Sequence, residues 1–392
     1  MQIVFVSNYI NHHQLPFCNE LYSRYKDEFA FIQTEPMSEE RINMGWDDSL
    51  KNLPFVKLFY EQEDMCRKMI FDAKTVIFGG ASDEEIIIER LLARKFTIRY
   101  SERIYKEGRY KFISPRGLLK KYHDHIRFRN YPDYMLCAGA YTAGDFSMIG
   151  AYPGKLLNFG YFPEVITYED VHALRTGEET VRLLWVSRFI DWKYPDMPVD
   201  LMKKLVFEDN LSVELTMVGN GPLLESVQKK IEALNLSKKI NLLEGLSPQE
   251  VRKLMLKADV FLLTSDKGEG WGAVVNEAMN SGCAVIAGHE TGAAPMLIKQ
   301  GENGFMFESR NLPDLYNKAV TLIKDGKLRR QIGTKAYETM VNTWNVKVAV
   351  ERLIEFIDDE EHKVKVYDDL GPLSKAENLS FKKVLKKINT IH

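Results

Sequence analysis

The sequence predicts an α/β protein of two doubly wound parallel-sheet domains, and three observations carry that expectation. Short β-branched and aromatic runs recur along the chain, each followed by a polar turn and a longer stretch of helical period. These runs are apolar throughout rather than alternating, as strands covered on both faces are. At 392 residues, with 45% hydrophobic and 28% charged residues, the chain has the length and the apolar material for two cores. The same balance excludes disorder or a fibrous repeat as the main state.

In the first half the expected strands are Ile3–Ser7, Thr75–Phe78 followed by Gly79-Gly80, Phe96–Tyr100 and Tyr134–Cys137. The second half repeats the rhythm with Arg182–Val186, Val213–Val218, Ile240–Leu243, Val260–Thr264 and Ala284–Ala287. Pro163 and the polar stretch Tyr168–Thr180 interrupt the period, so the break falls near Asn158–Gly177. After Trp344 a helical pattern covers Val346–Ile357, and a charged, weakly apolar tail runs from Asp358 to His392. The expected organisation is a first domain over 1–165, a second over 178–345 and a helical extension over 346–392 that crosses back to the first. Such sheets bind ligands beyond the carboxyl ends of their strands, so both domains are expected to offer that edge to one cleft.

A formal net charge of −2 leaves any electrostatic partner to a local patch. Cys18, Cys66, Cys137 and Cys283 are far apart and form no CxxC pair, which argues against structural zinc and a disulfide framework and for a reducing compartment. The opening MQIVFVSNYINHHQ has no basic lead-in and no small-residue cleavage site, so a secretory signal is not expected. No run approaches the roughly 18 apolar residues of a membrane span. The expectation is a cytoplasmic protein, peripheral on the inner face of the cell membrane.

The segment Val260 to Ala287, VFLLTSDKGEGWGAVVNEAMNSGCAVIA, carries the chemistry. A buried strand ends at Ser265, a glycine-broken loop follows, and a helix is expected to begin near Gly272. Gly270 and Gly272 remove side chains where a backbone must approach something closely, and free amides at a helix start suit phosphate oxygens. Glu269 in the loop and Glu277 in the helix would repel phosphate, so each is better used to accept hydrogen bonds from sugar or ribose hydroxyls. Either carboxylate alone would read as a solvated surface charge; the glycine loop after a buried strand favours the functional reading.

This segment resembles the Glu–seven residues–Glu signature of the retaining nucleotide-sugar glycosyltransferases of family 4 (group 1), which have the GT-B fold of two Rossmann-like domains facing a central cleft. LLWVSRFIDWK (Leu183–Lys193) is similar to the family's strand followed by Arg and, five residues on, Lys. MVGNGPLLESV (Met217–Val227) resembles its glycine-rich turn, LLNFGYFPEV (Leu156–Val165) its interdomain segment, and TGAAPMLIKQGENGFMF (Thr291–Phe307) the stretch that closes the donor pocket. The likeness covers the second half and is much weaker in the first. It implies that Arg188 and Lys193 grip the donor diphosphate and offset charge on the leaving group, a planar fork and a point charge respectively. Glu269 would contact the transferred sugar beside the backbone of Gly270, Trp271 and Gly272, and Glu277 would hold the ribose. The turn Gly219–Gly221 and the backbone near Glu244–Leu246 would border the base. Two positions depart from the family pattern: Tyr194 stands where Gly usually follows the Lys, and Cys283 where Pro often follows Gly282.

The resemblance further implies front-face displacement with no enzymic nucleophile and no cofactor. The donor is then a nucleotide-sugar, UDP-sugar favoured, and the acceptor a glycan or lipid-linked oligosaccharide of a surface polysaccharide pathway. No Asp-x-Asp metal motif follows a strand; Asp47-Asp48 and Asp369 with its neighbour read as solvated loop charges, and GT-B transfer generally needs no divalent ion.

In the first half, Asn8, His12 and His13 fall in the turn after the first strand, and Glu102 follows Phe96–Tyr100 at the same kind of edge; all four are candidates for phosphate or acceptor contact. His123 and His125 read as structural or acceptor-side. Residues 90–129 hold thirteen Lys and Arg against three Asp and Glu, interleaved with Phe96, Tyr100, Tyr105, Tyr110, Phe112, Tyr122 and Phe128. Such a stretch suits a solvated face with its aromatics turned inward, an anionic membrane surface or, less well, nucleic acid. Residues 381–391, FKKVLKKINTI, place Phe381, Val384, Leu385 and Ile388 on one helical face with four lysines off it, fitting an interfacial helix or one packed on the first domain. Two rival functions stay open: a GT-B nucleotide-sugar epimerase or hydrolase, and a catalytically silent binding subunit. A dinucleotide-dependent dehydrogenase is disfavoured, because no GxGxxG follows the first strand.

Overall fold

The computed structural model describes residues 2–43, 47–80, 84–106, 108, 114–175, 180–358, 367 and 369–390. The chain forms two compact units, 1–164 with 345–379 and 165–344 with 380–392. The first unit holds seven parallel strands: β1 Ile3–Ser7, β2 Phe29–Gln33, β3 Val56–Leu58, β4 Thr75–Phe78, β5 Thr97–Ser101, β6 Asp133–Ala138 and β7 Leu156–Phe159. They lie in the order β3-β2-β1-β4-β5-β6-β7. The second unit holds six: β8 Val181–Val186, β9 Val213–Val218, β10 Ile240–Leu243, β11 Val260–Leu263, β12 Ala284–Gly288 and β13 Phe305–Phe307, ordered β10-β9-β8-β11-β12-β13. Each sheet therefore winds outward in both directions from a central pair, β1/β4 and β8/β11, and each has its topological switch point between those two strands.

Four strands fall outside the runs read from sequence. β3 and β13 are three residues long, too short to set a pattern, and β7 runs into the stretch read as the domain break. β2, FAFIQ, has a strand composition and is fully buried beside β1. β1, β2, β4, β11 and β12 are buried at every position, and β1, β4, β11 and β12 read in the sequence as apolar runs for that reason.

Two arginines, Arg90 buried and Arg175 half-buried, tie these layers together through backbone carbonyls, with no carboxylate partner among the described residues. Arg90 donates to the carbonyls of Ile70 (2.8 Å), Phe71 (3.1 Å), Lys74 (3.0 Å) and Phe96 (2.8 Å), and burial lowers its pKa to about 10. Arg175 donates to Ala258 (2.6 Å), Met255 (3.0 Å) and Ser281 (2.7 Å), gathering the carboxyl ends of helices Pro248–Lys257 and Val274–Asn280. A guanidinium is suited to this, since helix ends leave several carbonyls unpaired. Cys283 lies fully buried beside Arg175, its thiol donating to the Met255 carbonyl at 3.1 Å, with burial raising its pKa to about 11.

The extension divides between the units. Helix Val346–Ile357 belongs with the first, where Phe356 meets Phe96 and Tyr134 at ring distances of 6.0 and 5.1 Å. Leu373–Lys375 then runs beside β7, Asn158 and Ser374 joined backbone to backbone at 2.7 Å. Helix Phe381–Thr390 groups with the second unit. Its Val384 and Ile388 are buried, so the apolar stripe expected to be available to a lipid surface is packed inside; Ile391 lies outside the described residues.

The basic stretch 90–129 is also less of a face than its composition suggests. Arg90, Arg99 and Arg103 are buried, the latter two beside Asp133 (3.3 Å) and Asp145 (3.1 Å). Tyr105 and Phe128 are buried and Phe96 and Tyr100 half-buried, while Tyr110 and Phe112 lie outside the described residues. His125 is structural: it meets Arg99 at 3.2 Å and the Tyr152 hydroxyl at 2.7 Å, and burial pushes its pKa down to about 2. Among the described residues no helix is long and apolar enough to cross a membrane.

Candidate functional site

The second unit's switch point brings the loop after β8 beside the loop after β11. Pairing of Leu183, Leu184 and Trp185 with Val260, Phe261 and Leu262 sets the two strand ends level. The loop after β8, Ser187–Tyr194, is moulded by the turn after β9. Phe189 donates to the Asn220 carbonyl (2.7 Å) and Leu223 to that of Phe189 (3.0 Å). Gly219 and Gly221 allow this approach: both have φ near +145° (+143° and +145°), and a Cβ would lie 1.9 Å from the Ser187 oxygen and 2.6 Å from the Phe189 oxygen. No other residue fits either position. The glycine turn thus fixes the strand-end loop that carries Arg188. That side chain is exposed, its guanidinium 5.7 Å from the Trp192 ring centre, and has no carboxylate partner among the described residues.

Lys193 ends a short 3-10 turn and is buried, in ion-pair contact with the Glu269 carboxylate, which also accepts from Ser265 Oγ at 3.3 Å. Burial, and secondarily the positive charge of Arg188, lower the Lys193 pKa from 10.5 to about 8. The loop is pinned from beneath: Trp185 Nε1 donates to Thr264 Oγ1 (2.9 Å), which donates to the Lys193 carbonyl (2.6 Å). Tyr194, where the family pattern has Gly, takes φ +48° and ψ +57°, the left-handed conformation glycine favours. Its hydroxyl donates to Asp266 Oδ2 at 3.2 Å. Asp266 in turn accepts from the Gly268 amide (2.9 Å) and donates its own amide to the Trp192 carbonyl (3.0 Å). Tyr194 and Asp266 therefore tie the Lys193 loop to the Glu269 loop. Sequence reasoning passed over Asp266; its signal was its place at a strand end, one residue past Ser265.

The helix expected near Gly272 begins at Val274, because Gly272 itself has φ +96° and lies in the loop. Gly270 is buried in the same loop. Trp271 turns its ring into the core, donating Nε1 to Asn276 Oδ1 (2.9 Å) 6.1 Å from Trp344, so only its backbone is left for a ligand. Glu277 is half-buried on helix Val274–Asn280 and accepts no side-chain hydrogen bond among the described residues. Burial raises its pKa, opposed by Arg252. Leu246 is half-buried between Gly245 and Ser247, the latter closing a capping box with Glu250 on the next helix.

In the first unit, the four sequence-derived candidates lie after β1 and β5. Asn8 accepts from Ser7 Oγ at 3.3 Å. His12 and His13 lie 3.9 Å apart, ring centre to ring centre, and His13 stacks on Tyr161 at 5.7 Å. Burial and His12 push the His13 pKa down to about 3, so its ring is neutral. Tyr161 donates its hydroxyl to Glu102 Oε1 at 2.8 Å, and Lys106 pairs with the other oxygen. Tyr161 thus joins His13 to Glu102. It was not singled out in the sequence because it stood in the segment read as linker. Among the described residues no group of three or more His, Cys, Asp or Glu is placed to hold a metal ion.

Residues 169–339 match the family described as glycosyl transferases group 1. This stretch of the chain is similar to that family's domain. The domain is similar to the N-acetyl-alpha-D-glucosaminyl L-malate synthase of Bacillus anthracis, 29% identical over 158 residues, 40% of this chain and 40% of that protein. It also resembles the poly(ribitol-phosphate) alpha-N-acetylglucosaminyltransferase of Staphylococcus aureus, 25% identical over 169 residues, 43% of this chain and 33% of that one. The chain spans less than half the length of these curated relatives. A crystal structure of Alr3699/HepE from Anabaena, in complex with UDP and glucose, is similar with a TM-score of 0.65 and 15% identity over 91% of this chain and 98% of that one. At that identity the likeness shows the fold alone. The fold is GT-B, with parallel sheets of seven and six strands and a helical C-terminal extension.

Proposed function

We propose that the chain is a retaining glycosyltransferase that moves a sugar from a nucleoside diphosphate, UDP-sugars by preference, to a glycan or lipid-linked glycan in surface polysaccharide synthesis. The observation that carries this reading is the pairing of two cations at one switch point. Arg188 lies near enough to depress the pKa of buried Lys193, yet has no acid of its own among the described residues. Among the described residues Glu269 is the one carboxylate paired with these two cations, so a net positive charge is left for a polyanion, and a diphosphate supplies the charge and the oxygens.

In the proposed reaction the acceptor oxygen bonds to the anomeric carbon on the face from which the diphosphate leaves. The carbon–oxygen bond to phosphate breaks, and the acceptor's proton passes to the departing phosphate oxygen. Arg188 and Lys193 offset the charge that grows there, with no metal ion required. Lys193 leaves Glu269 for the diphosphate, and Glu269 accepts from a hydroxyl of the transferred sugar beside the backbone of Gly270, Trp271 and Gly272. Glu277, a half-buried acceptor with no side-chain donor among the described residues, takes the ribose hydroxyls. Gly219, Gly221 and Leu246 border the base, while Asn8, His12, His13 and Glu102 serve the acceptor side. The transfer activities named for the Bacillus anthracis and Staphylococcus aureus relatives support the reaction class.

The test offers UDP- and GDP-sugars to the full chain, with and without glycan acceptors and with EDTA, and follows nucleoside diphosphate release and the anomer formed. The expectation is acceptor-dependent release, insensitive to EDTA, giving a product of the donor's own anomeric configuration, and lost in Glu269→Ala and Arg188→Ala. Turnover to free sugar or an epimer regardless of acceptor would instead establish the epimerase or hydrolase. No turnover, with cellular activity kept by both variants, would establish a binding subunit.

A further inference from the structure

We propose that helix Pro115–Asp124 is a docking surface for an anionic lipid membrane. The helix is well made: Ser114 caps it, accepting from the Gly117 amide at 3.3 Å, and Pro115 opens it. Its far end is anchored by His125 in the Arg99–Tyr152 cluster, and Asp124 is its one buried residue. Gly117 and Lys121 are half-buried, and the rest of the helix is exposed. Leu119 is 61% exposed, Tyr122 51% and Leu118 36%, and their spacing puts them on adjoining rows of one side. Arg116, Lys120, Lys121 and His123 flank them, and the helix's sole acid, Asp124, is spent on Lys120 at 3.1 Å.

Three occupants could cover such a face, and the residues select one. Single-stranded nucleic acid is gripped by exposed aromatic rings. In the basic stretch around this helix the described aromatics are buried or half-buried except Tyr122, and the large exposed groups are aliphatic. A second copy meeting the same patch would bring like charges together with no free acid to receive them. An anionic bilayer fits both halves of the surface: leucines and a tyrosine enter the headgroup boundary while long basic side chains reach phosphates around them. The sequence offered two membrane candidates, and the structure separates them, since helix Phe381–Thr390 has its apolar stripe buried and this one does not.

The experiment is co-sedimentation of the full chain with vesicles of phosphatidylcholine alone or mixed with phosphatidylglycerol, across a salt series. The expected result is binding to the mixed vesicles, weakened by salt. Leu118→Ser with Leu119→Ser should reduce it on the order of tenfold, and Arg116→Gln with Lys121→Gln by roughly fivefold per charge removed. All four positions are exposed or half-exposed, so both variants should melt with the parent; if one does not, the other still decides. The proposal is overturned if neither vesicle binds. It also fails if substitution of Lys382, Lys383, Lys386 and Lys387 abolishes binding while both variants keep it. Binding of a single-stranded oligonucleotide but not vesicles, or a dimer in sedimentation that Leu119→Ser dissociates, would likewise assign the face to another partner.

Discussion

Tyr194 should behave as a residue placed against its own backbone preference. At φ +48° and ψ +57° a side chain costs roughly 1–2 kcal/mol that glycine does not. Its phenol recovers part of this through Asp266 Oδ2; at 3.2 Å the bond belongs at the weak end of the roughly 1.5–3 kcal/mol of hydrogen bonds to charged groups. Three substitutions separate the terms. Tyr194→Ala and Tyr194→Gly lose the same ring and hydroxyl and differ only in the backbone. At ordinary positions Ala is the more stable by about 0.4–1 kcal/mol; here the order should reverse, Gly ahead by about 1 kcal/mol, or about 2–4 °C in Tm for a domain of this size. Tyr194→Phe isolates the hydroxyl and should cost about 1–1.5 kcal/mol. Because the hydroxyl ties the Lys193 loop to the Glu269 loop, Phe should also lower kcat/KM on the order of tenfold. Urea unfolding followed by tryptophan fluorescence, with donor kinetics on the same samples, reads all three. Ala equal to or more stable than Gly would refute the left-handed backbone, and Phe equal to the parent in both measurements would refute the tie between loops.

Three further outcomes follow from the same site. In the proposed reaction the diphosphate is bound by the Lys193 ammonium, whose pKa is lowered to about 8, so kcat/KM should hold below that pH and fall tenfold per unit above it; Lys193→Arg should remove the alkaline limb, and a limb that stays put would assign it elsewhere. Glu277 has a raised pKa, so donor binding measured by calorimetry should weaken as acid protonates it; Glu277→Gln should abolish that dependence and weaken binding roughly 10–100-fold, and unchanged affinity would remove Glu277 from the ribose. Gly219→Ala should destabilise the second unit by more than about 3 kcal/mol in urea unfolding, since its Cβ would sit 1.9 Å from the Ser187 oxygen; a loss below about 1 kcal/mol would show that the loop yields.

What could be read in the sequence was what depends on local pattern. β1, β4, β9 and β10 stand where the apolar runs put them, and helix Val346–Ile357 where its period does, because burial on one or both faces writes itself into composition. β3 and β13, three residues each, carry no such pattern. Arg188, Lys193 and Glu269 were visible through their spacing, and the fold brings two of them into contact. Asp266 and Tyr161 were not, and Tyr194 showed only as a departure from the family pattern, for their importance lies in pairings made across separate strand ends, which no linear motif encodes. The basic stretch overstated its exposed charge for a related reason: charge counted along the chain cannot reveal that Arg90 is spent on carbonyls or Arg103 on Asp145.

The route of the chain through its two units sets the terms on which the protein can be recombined. Along the chain, residues 165–344 are inserted between the two segments of the other unit, which resumes at Asn345 and supplies its own core with Phe356. Removing everything after Trp344 as a dispensable tail would strip Phe96 and Tyr134 of their cover. A chimera that exchanges the second unit must cut at two junctions and must also carry Phe381–Thr390 along with it, although 345–379 separate the two in the gene.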